Sequence, residues 1–171
     1  MEEWVNSMTP KDVLQQSMSV YEDSLNNRLK LSGRQVIFVD DSQEMLNLIE
    51  IMLKSKFNLL EGYMIEPNPV FAKHTLDWLI SRGISLSSII KCAVLDVDFG
   101  IYSKDVSVND LIKLFQRDNV PVILFSAMKT ETWKKYVKPE YHDKVEFISK
   151  TDAQAMNKIY TVITEKESIA L

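Results

Sequence analysis

Hydrophobic residues fall along this chain in two rhythms. Four short apolar runs each stop on a polar residue: QVIFV on the pair Asp40-Asp41, CAVL on Asp96, PVILF on Ser126 and VEFIS on Lys150. Such runs read as buried strands. Between them, apolar positions recur every three or four residues, the signature of amphipathic helices. Strands that alternate with helices predict crossover connections, hence parallel pairing and an α/β sheet.

The individual elements follow from their punctuation. Thr9, Pro10 and Asp12 make a helix start, and the pattern runs to about Leu29 with Leu14, Met18, Tyr21 and Leu25 on one seam. That stripe must be covered, by its own domain or by a second subunit. Ser32-Gly33 breaks it before the first strand. Ser42 is placed to cap a helix whose apolar face is Met45, Ile49, Met52 and Leu53, ending near Lys56. Residues 59 to 65 predict a second strand, and Asn68-Pro69 opens a helix with Leu76, Leu79 and Ile80 inward and Gly83 near its stop.

Residues 84 to 91 lead into the third strand. Ser107 with Asp110 caps a fourth helix carrying Leu111, Leu114 and Phe115. Pro121 opens the next strand, residues 130 to 137 predict a short helix stopped by Pro139, and the last strand covers about 145 to 149. Thr151 is placed to cap a final helix with Met156, Ile159, Tyr160 and Ile163 on one face. No repeat or low-complexity tract interrupts the chain.

Length and charge narrow this picture. The 171 residues suit one domain, with an appendage of some 40 residues. We divide them into an N-terminal helical extension, 1–33, and a domain, 34–171. A net charge of −4 argues against a nucleic-acid footprint. The one cysteine, Cys92, lies inside a strand run, so a disulfide framework is excluded and a reducing, cytoplasmic setting is expected. No apolar run approaches the roughly 18 residues that span a bilayer. His74 and His142 have no cysteine or second histidine near them in a zinc spacing.

Parallel strands put their C-terminal ends on one edge, where open α/β sheets bind ligands. Asp40, Asp41, Asp96, Ser126 and Lys150 should therefore share a pocket. Three carboxylates held together either keep protons or recruit a cation, and all-oxygen ligands favour Mg²⁺ or Mn²⁺. Asp96 is then a candidate nucleophile toward phosphorus, Lys150 a charge partner for the transferring oxygens and Ser126 a hydroxyl able to hydrogen-bond the phosphoryl group.

On FVDD, AVLD, LFSA and FISK, over about residues 34 to 168, the chain resembles the receiver domain of two-component response regulators. The resemblance implies a flavodoxin-like (CheY-like), doubly wound five-stranded parallel sheet, here with an added N-terminal helix. It implies phosphorylation of Asp96 by a histidine kinase or phosphotransfer protein. Mg²⁺ would be bound by Asp41, Asp96 and the backbone carbonyl of Asp98, with Asp40 assisting through water. Ser126 and the aromatic Phe147 would form the switch, read out on the face of the fourth predicted helix, the last strand and the last helix.

The chain also departs from the family. Thr151 stands where proline is usual after the lysine, and the loop after Asp96 lacks its usual proline. The 55 residues from Asp41 to Asp96 (96 − 41) make a long span, and KPEYHDKV replaces the usual Gly-Ala-Asp-Asp.

The expectation is a stand-alone phosphoacceptor signalling protein rather than an enzyme, acting on a downstream protein target and having no direct nucleic-acid or membrane partner. Only 21 residues follow Lys150, too few for an output domain. A homodimer through the N-terminal helix is a further possibility. The rival from the altered loops is a pseudo-receiver, a binding module that works without phosphate. LDVD also resembles the DxD of haloacid-dehalogenase-type phosphatases, but their acidic pair follows the lysine, whereas Asp40-Asp41 precedes it.

Overall fold

Every described strand pair is parallel, and the order in the sheet is β2-β1-β3-β4-β5. The strands of this computed structural model are β1 (Gln35–Val39), β2 (Tyr63–Glu66), β3 (Ile90–Leu95), β4 (Val122–Ser126) and β5 (Val145–Ser149). The helices are α1 (Gln43–Lys56), α2 (Pro69–Ser81), α3 (Val108–Arg117) and α4 (Ala155–Ile169). The structure describes residues 34–56 and 63–169, and the helix expected over 10 to 29 lies outside them. This is the flavodoxin-like, doubly wound arrangement of an open parallel sheet.

Alternation along the strands divides the core into two layers. Val36 and Phe38 of β1, Cys92 and Val94 of β3, and Ile123 and Phe125 of β4 face α1 and α4, meeting Leu46, Ile49, Leu53, Met156 and Ile159. Their neighbours Ile37, Val39, Ala93, Leu95, Val122 and Leu124 face α2 and α3, meeting Leu76, Leu79, Leu111, Ile112 and Phe115. Burial on both faces explains why these runs are continuously apolar.

The chain leaves β1 toward β2 on one side, while β3 to β5 build outward on the other. The ends of β1 and β3 therefore flank the topological switch point, where loops diverge and leave a crevice.

Local capping obeys the sequence at most ends. The Ser42 hydroxyl accepts the Met45 N–H at 3.2 Å, the Asn68 side chain accepts from Phe71 at 3.1 Å, and the Asp110 carboxylate accepts the Ser107 N–H at 2.8 Å. Gly83 ends α2 with φ +78°, as its place after the helix predicts.

Four expectations are corrected. The second strand is placed at Tyr63–Glu66, so its C-terminal residue is Glu66 rather than Ile65. No α-helix forms over 130 to 137; the β4–β5 connection instead holds two 3₁₀ turns, Trp133–Lys135 and Pro139–Lys144, so Pro139 starts a turn rather than only stopping one. Asn109 secures this connection, its amide donating to the Tyr136 carbonyl and accepting from the Lys138 N–H. Thr151 does not cap the last helix, because its hydroxyl pairs with Ser149 at 2.7 Å; Asp152 accepts the Gln154 N–H instead. Finally, α3 buries Ile112 along with Leu111 and Phe115, leaving Leu114 only partly covered.

Candidate functional site

The C-terminal edge of β1, β3 and β4 collects the polar residues at which the apolar runs stop. Ligand oxygens of Asp40, Asp41 and Asp96 all lie within 4.8 Å of one another. Backbone pairing sets this proximity: the Asp96 N–H donates to the Val39 carbonyl at 3.0 Å, so the residue after β3 is held beside the end of β1.

Lys150 arrives from the far side of the sheet. Its backbone N–H donates to the Ser126 carbonyl at 2.8 Å, which fixes the loop after β5 against the end of β4. The ammonium then donates to Asp40 Oδ2 at 2.6 Å and Asp96 Oδ2 at 3.1 Å. It also lies 5.7 Å from the centre of the Phe125 ring, a cation–π contact on its apolar side.

Asp40 is 3% exposed and both its oxygens are engaged, Oδ2 by Lys150 and Oδ1 by the Ser42 N–H at 2.9 Å. Asp96 Oδ1 accepts the Val97 N–H at 2.7 Å. Asp41 is the most open of the three. Gly100 has φ +56°, and a β-carbon there would lie 2.6 Å from Asp41 Oδ2, so a side chain at residue 100 would strain the backbone and push this carboxylate aside.

The electrostatics are those of a charge deficit. Burial pushes the Asp96 carboxyl up to about 6, with Lys150 opposing and Asp40 reinforcing the shift. Burial and the neighbouring Asp40 also raise Asp41. Burial would lower Lys150, but Asp96 and Asp40 outweigh it and hold the ammonium charged. These directions agree once the charges are counted: one ammonium serves three carboxylates, leaving −3 + 1 = −2 when all are ionised. A divalent cation would supply the missing charge, and the all-oxygen donor set suits a hard ion such as Mg²⁺ or Mn²⁺.

The remaining candidates are dispersed around this centre. Ser126, at the end of β4, is buried, and its hydroxyl oxygen accepts the Met128 N–H at 3.2 Å. The Asp98 side chain is turned to its own loop, accepting the Gly100 N–H at 2.9 Å. Phe147 lies on β5 in face-to-face stacking with Trp133, ring centres 5.5 Å apart and planes 13° apart. Edge-on to the same indole stands His142, whose Nε2 is 2.7 Å from the Val137 carbonyl.

One residue of this edge escaped the sequence reading. Glu66 ends β2, is buried, and has its carboxyl raised by burial, while Oε1 accepts the Asn68 N–H at 3.0 Å. YMIE follows the same rule as the other strands, an apolar run stopping on a polar residue. Stopping the expected strand one residue early hid it.

Comparison with known proteins gives the fold a context. No family model matches the chain. A stretch of the E3 ubiquitin-protein ligase UBR1 of Saccharomyces cerevisiae is 24% identical over 180 aligned residues, an alignment that covers 86% of this chain and 8% of that protein. The chain thus spans under a tenth of the relative it matches. Among solved structures, a CheY-like response regulator receiver domain from Methanospirillum hungatei superposes with a TM-score of 0.56 at 15% identity, covering 79% of this chain and 97% of that one. The Legionella pneumophila response regulator LqsR gives 0.56 at 17% identity, covering 80% and 46%.

Proposed function

We propose that this chain is a receiver-type phosphoryl switch, with Asp96 the acceptor. The observation that carries the reading is the cluster itself: three carboxylates within 4.8 Å, two of them, Asp40 and Asp96, bridged by the part-buried Lys150 that follows β5 at the far edge of the sheet. A structural ion pair needs one carboxylate per ammonium; two uncompensated charges at the switch point call for a cation and a ligand.

An Asp96 oxygen attacks phosphorus, the P–N bond to the donor imidazole breaks, and the imidazole leaves with the bonding electrons and takes up a proton. The donor is a histidine kinase or phosphotransfer protein. Bound Mg²⁺ or Mn²⁺, held by Asp41, Asp96 and the Asp98 carbonyl with Asp40 acting through water, would offset charge on the phosphoryl oxygens. Lys150 is placed to give up part of its bond with Asp96 and meet those oxygens. Ser126 is the hydroxyl available at the next strand end, at the cost of its contact with Met128. The chain does not turn over a separate substrate in this reading; it changes its surface and signals by protein contact.

Two observations favour a second reading, a binding module that works without phosphate. The β4–β5 connection has 3₁₀ turns where a helix was expected, and Phe147 is stacked under Trp133. The similarity to part of a ubiquitin ligase supports such a module acting within a larger assembly.

Intact-mass spectrometry after incubation with acetyl phosphate separates the two. A metal-dependent phosphoryl adduct on the wild type, absent from Asp96→Asn, is the result expected of the switch. Absence of any adduct under conditions that label a known receiver would exclude it and favour the module.

A further inference from the structure

Helix α1 carries more apolar surface than the sheet can cover. Seven of the nine residues from Met45 to Leu53 are apolar, the exceptions being Asn47 and Glu50. Leu46, Ile49 and Leu53 are buried against the sheet. Leu48 and Ile51 point away from it, 50% and 62% exposed. These two occupy the outward stripe 44, 48, 51, 55, where a solvated helix is most polar. A helix that is apolar on both sides is built to be covered on both sides.

We propose that the segment 10–29 of this same chain covers it, lying alongside α1 with its seam on Leu48 and Ile51. Three observations select this occupant over a second copy or another protein. The first is connectivity. Parallel crossover topology puts the start of β1 and the end of α1 at the same edge of the sheet, so residue 34 and Lys56 share that edge. The segment is tethered there by only four residues, 30 to 33.

The second is length. Twenty residues of helix reach about 30 Å, enough to cover the roughly 21 Å of the 14-residue α1. The third is register. A helix over 10–29 that ends at this tether would run toward the same edge as α1 and so lie parallel to it. With Leu29 level with Lys56, Tyr21 is eight residues back from one end (29 − 21) and Leu48 eight back from the other (56 − 48). Leu25 and Ile51 are four and five back. The seam residues then meet the exposed pair in a parallel, knobs-into-holes pairing.

This inference does not rest on the phosphoryl-switch reading. Its test uses the full chain with Cys92→Ala as background and the cysteine pairs Tyr21→Cys with Leu48→Cys, and Leu25→Cys with Ile51→Cys. A short thiol-specific cross-linker should give a product of monomer mass whose yield does not change over a 100-fold range of protein concentration.

A second variant, Leu48→Glu with Ile51→Glu, alters exposed positions only and leaves the core intact. It should speed tryptic cleavage after Arg28 and Lys30 at least tenfold while residues 34 to 56 stay resistant. Cross-links found only at dimer mass would overturn the proposal in favour of a second copy. Equal cleavage rates in the wild type and the double variant would overturn it outright.

Discussion

Replacing Asp96 by asparagine should make the protein more stable at neutral pH, although it removes the residue on which the proposed chemistry depends. Burial lifts the Asp96 carboxyl from 3.8 to about 6. A carboxyl whose folded pKa lies above its unfolded value contributes its stability below the unfolded value and loses it as pH rises through the folded one. The window is therefore about pH 4 to 6. Linkage puts the penalty on the folded state at about 1 kcal/mol at pH 4.5 and about 3 kcal/mol at pH 7.

The substituted amide keeps an acceptor for the Val97 N–H but weakens the contact with Lys150, a loss of about 1 kcal/mol. The net expectation is a gain of about 2 kcal/mol at pH 7 and none at pH 4.5. Lys150 keeps Asp40 as partner at 2.6 Å, so no buried charge is stranded. Urea unfolding of both proteins at the two pH values, followed by tryptophan fluorescence, measures the difference directly. Carboxylates remote from the site are untouched by the substitution and cancel. A variant that is less stable at pH 7, or a difference that does not change with pH, would refute the charge-deficit account of the site. Millimolar Mg²⁺ should narrow the gap, because a cation that binds only the folded wild type stabilises it by mass action.

Other outcomes follow from the same geometry. Lys150→Met leaves Asp40 buried with one N–H donor and should cost about 3–5 kcal/mol at neutral pH, less in acid, by chemical denaturation. Gly100→Ala places a β-carbon against Asp41 at a positive φ; it should cost about 1–3 kcal/mol and weaken Mg²⁺ binding measured by titration calorimetry. Trp133→Ala removes a buried indole that stacks on Phe147 and should lower stability by about 3–5 kcal/mol, whereas Trp133→Phe should keep most of it, both read from thermal melts. If Trp133→Ala costs less than about 1 kcal/mol, the β4–β5 connection is not held by this stack.

The candidate site was legible in the sequence because each of its residues marks the end of a strand. An apolar run must stop where the chain leaves the core, and in a parallel sheet all such stops share one edge. Asp40, Asp41, Asp96, Ser126 and Lys150 could thus be assigned to one neighbourhood without knowing any distance between them. Glu66 obeyed the same rule and was missed only because its strand boundary was set one residue early. The caps at Ser42, Asn68 and Ser107 were equally accessible, since each depends on backbone groups within three residues.

What the tertiary structure decided lies between residues far apart in the chain. Lys150 makes its shorter bond to Asp40, 110 residues away, and not to the phosphoacceptor candidate. Neither residue's local pattern contains that preference, because it depends on how the loop after β5 meets the end of β4. The loss of the expected helix over 130 to 137 has the same origin: Asn109 hydrogen-bonds the loop across 27 and 29 residues, and Trp133 stacks on a strand that follows it. Periodicity and capping are short-range physics and can be read from neighbouring residues. The sharing of one ammonium between Asp40 and Asp96, and the choice of turn over helix where long-range contacts compete with local propensity, exist only once the sheet has brought the strands together.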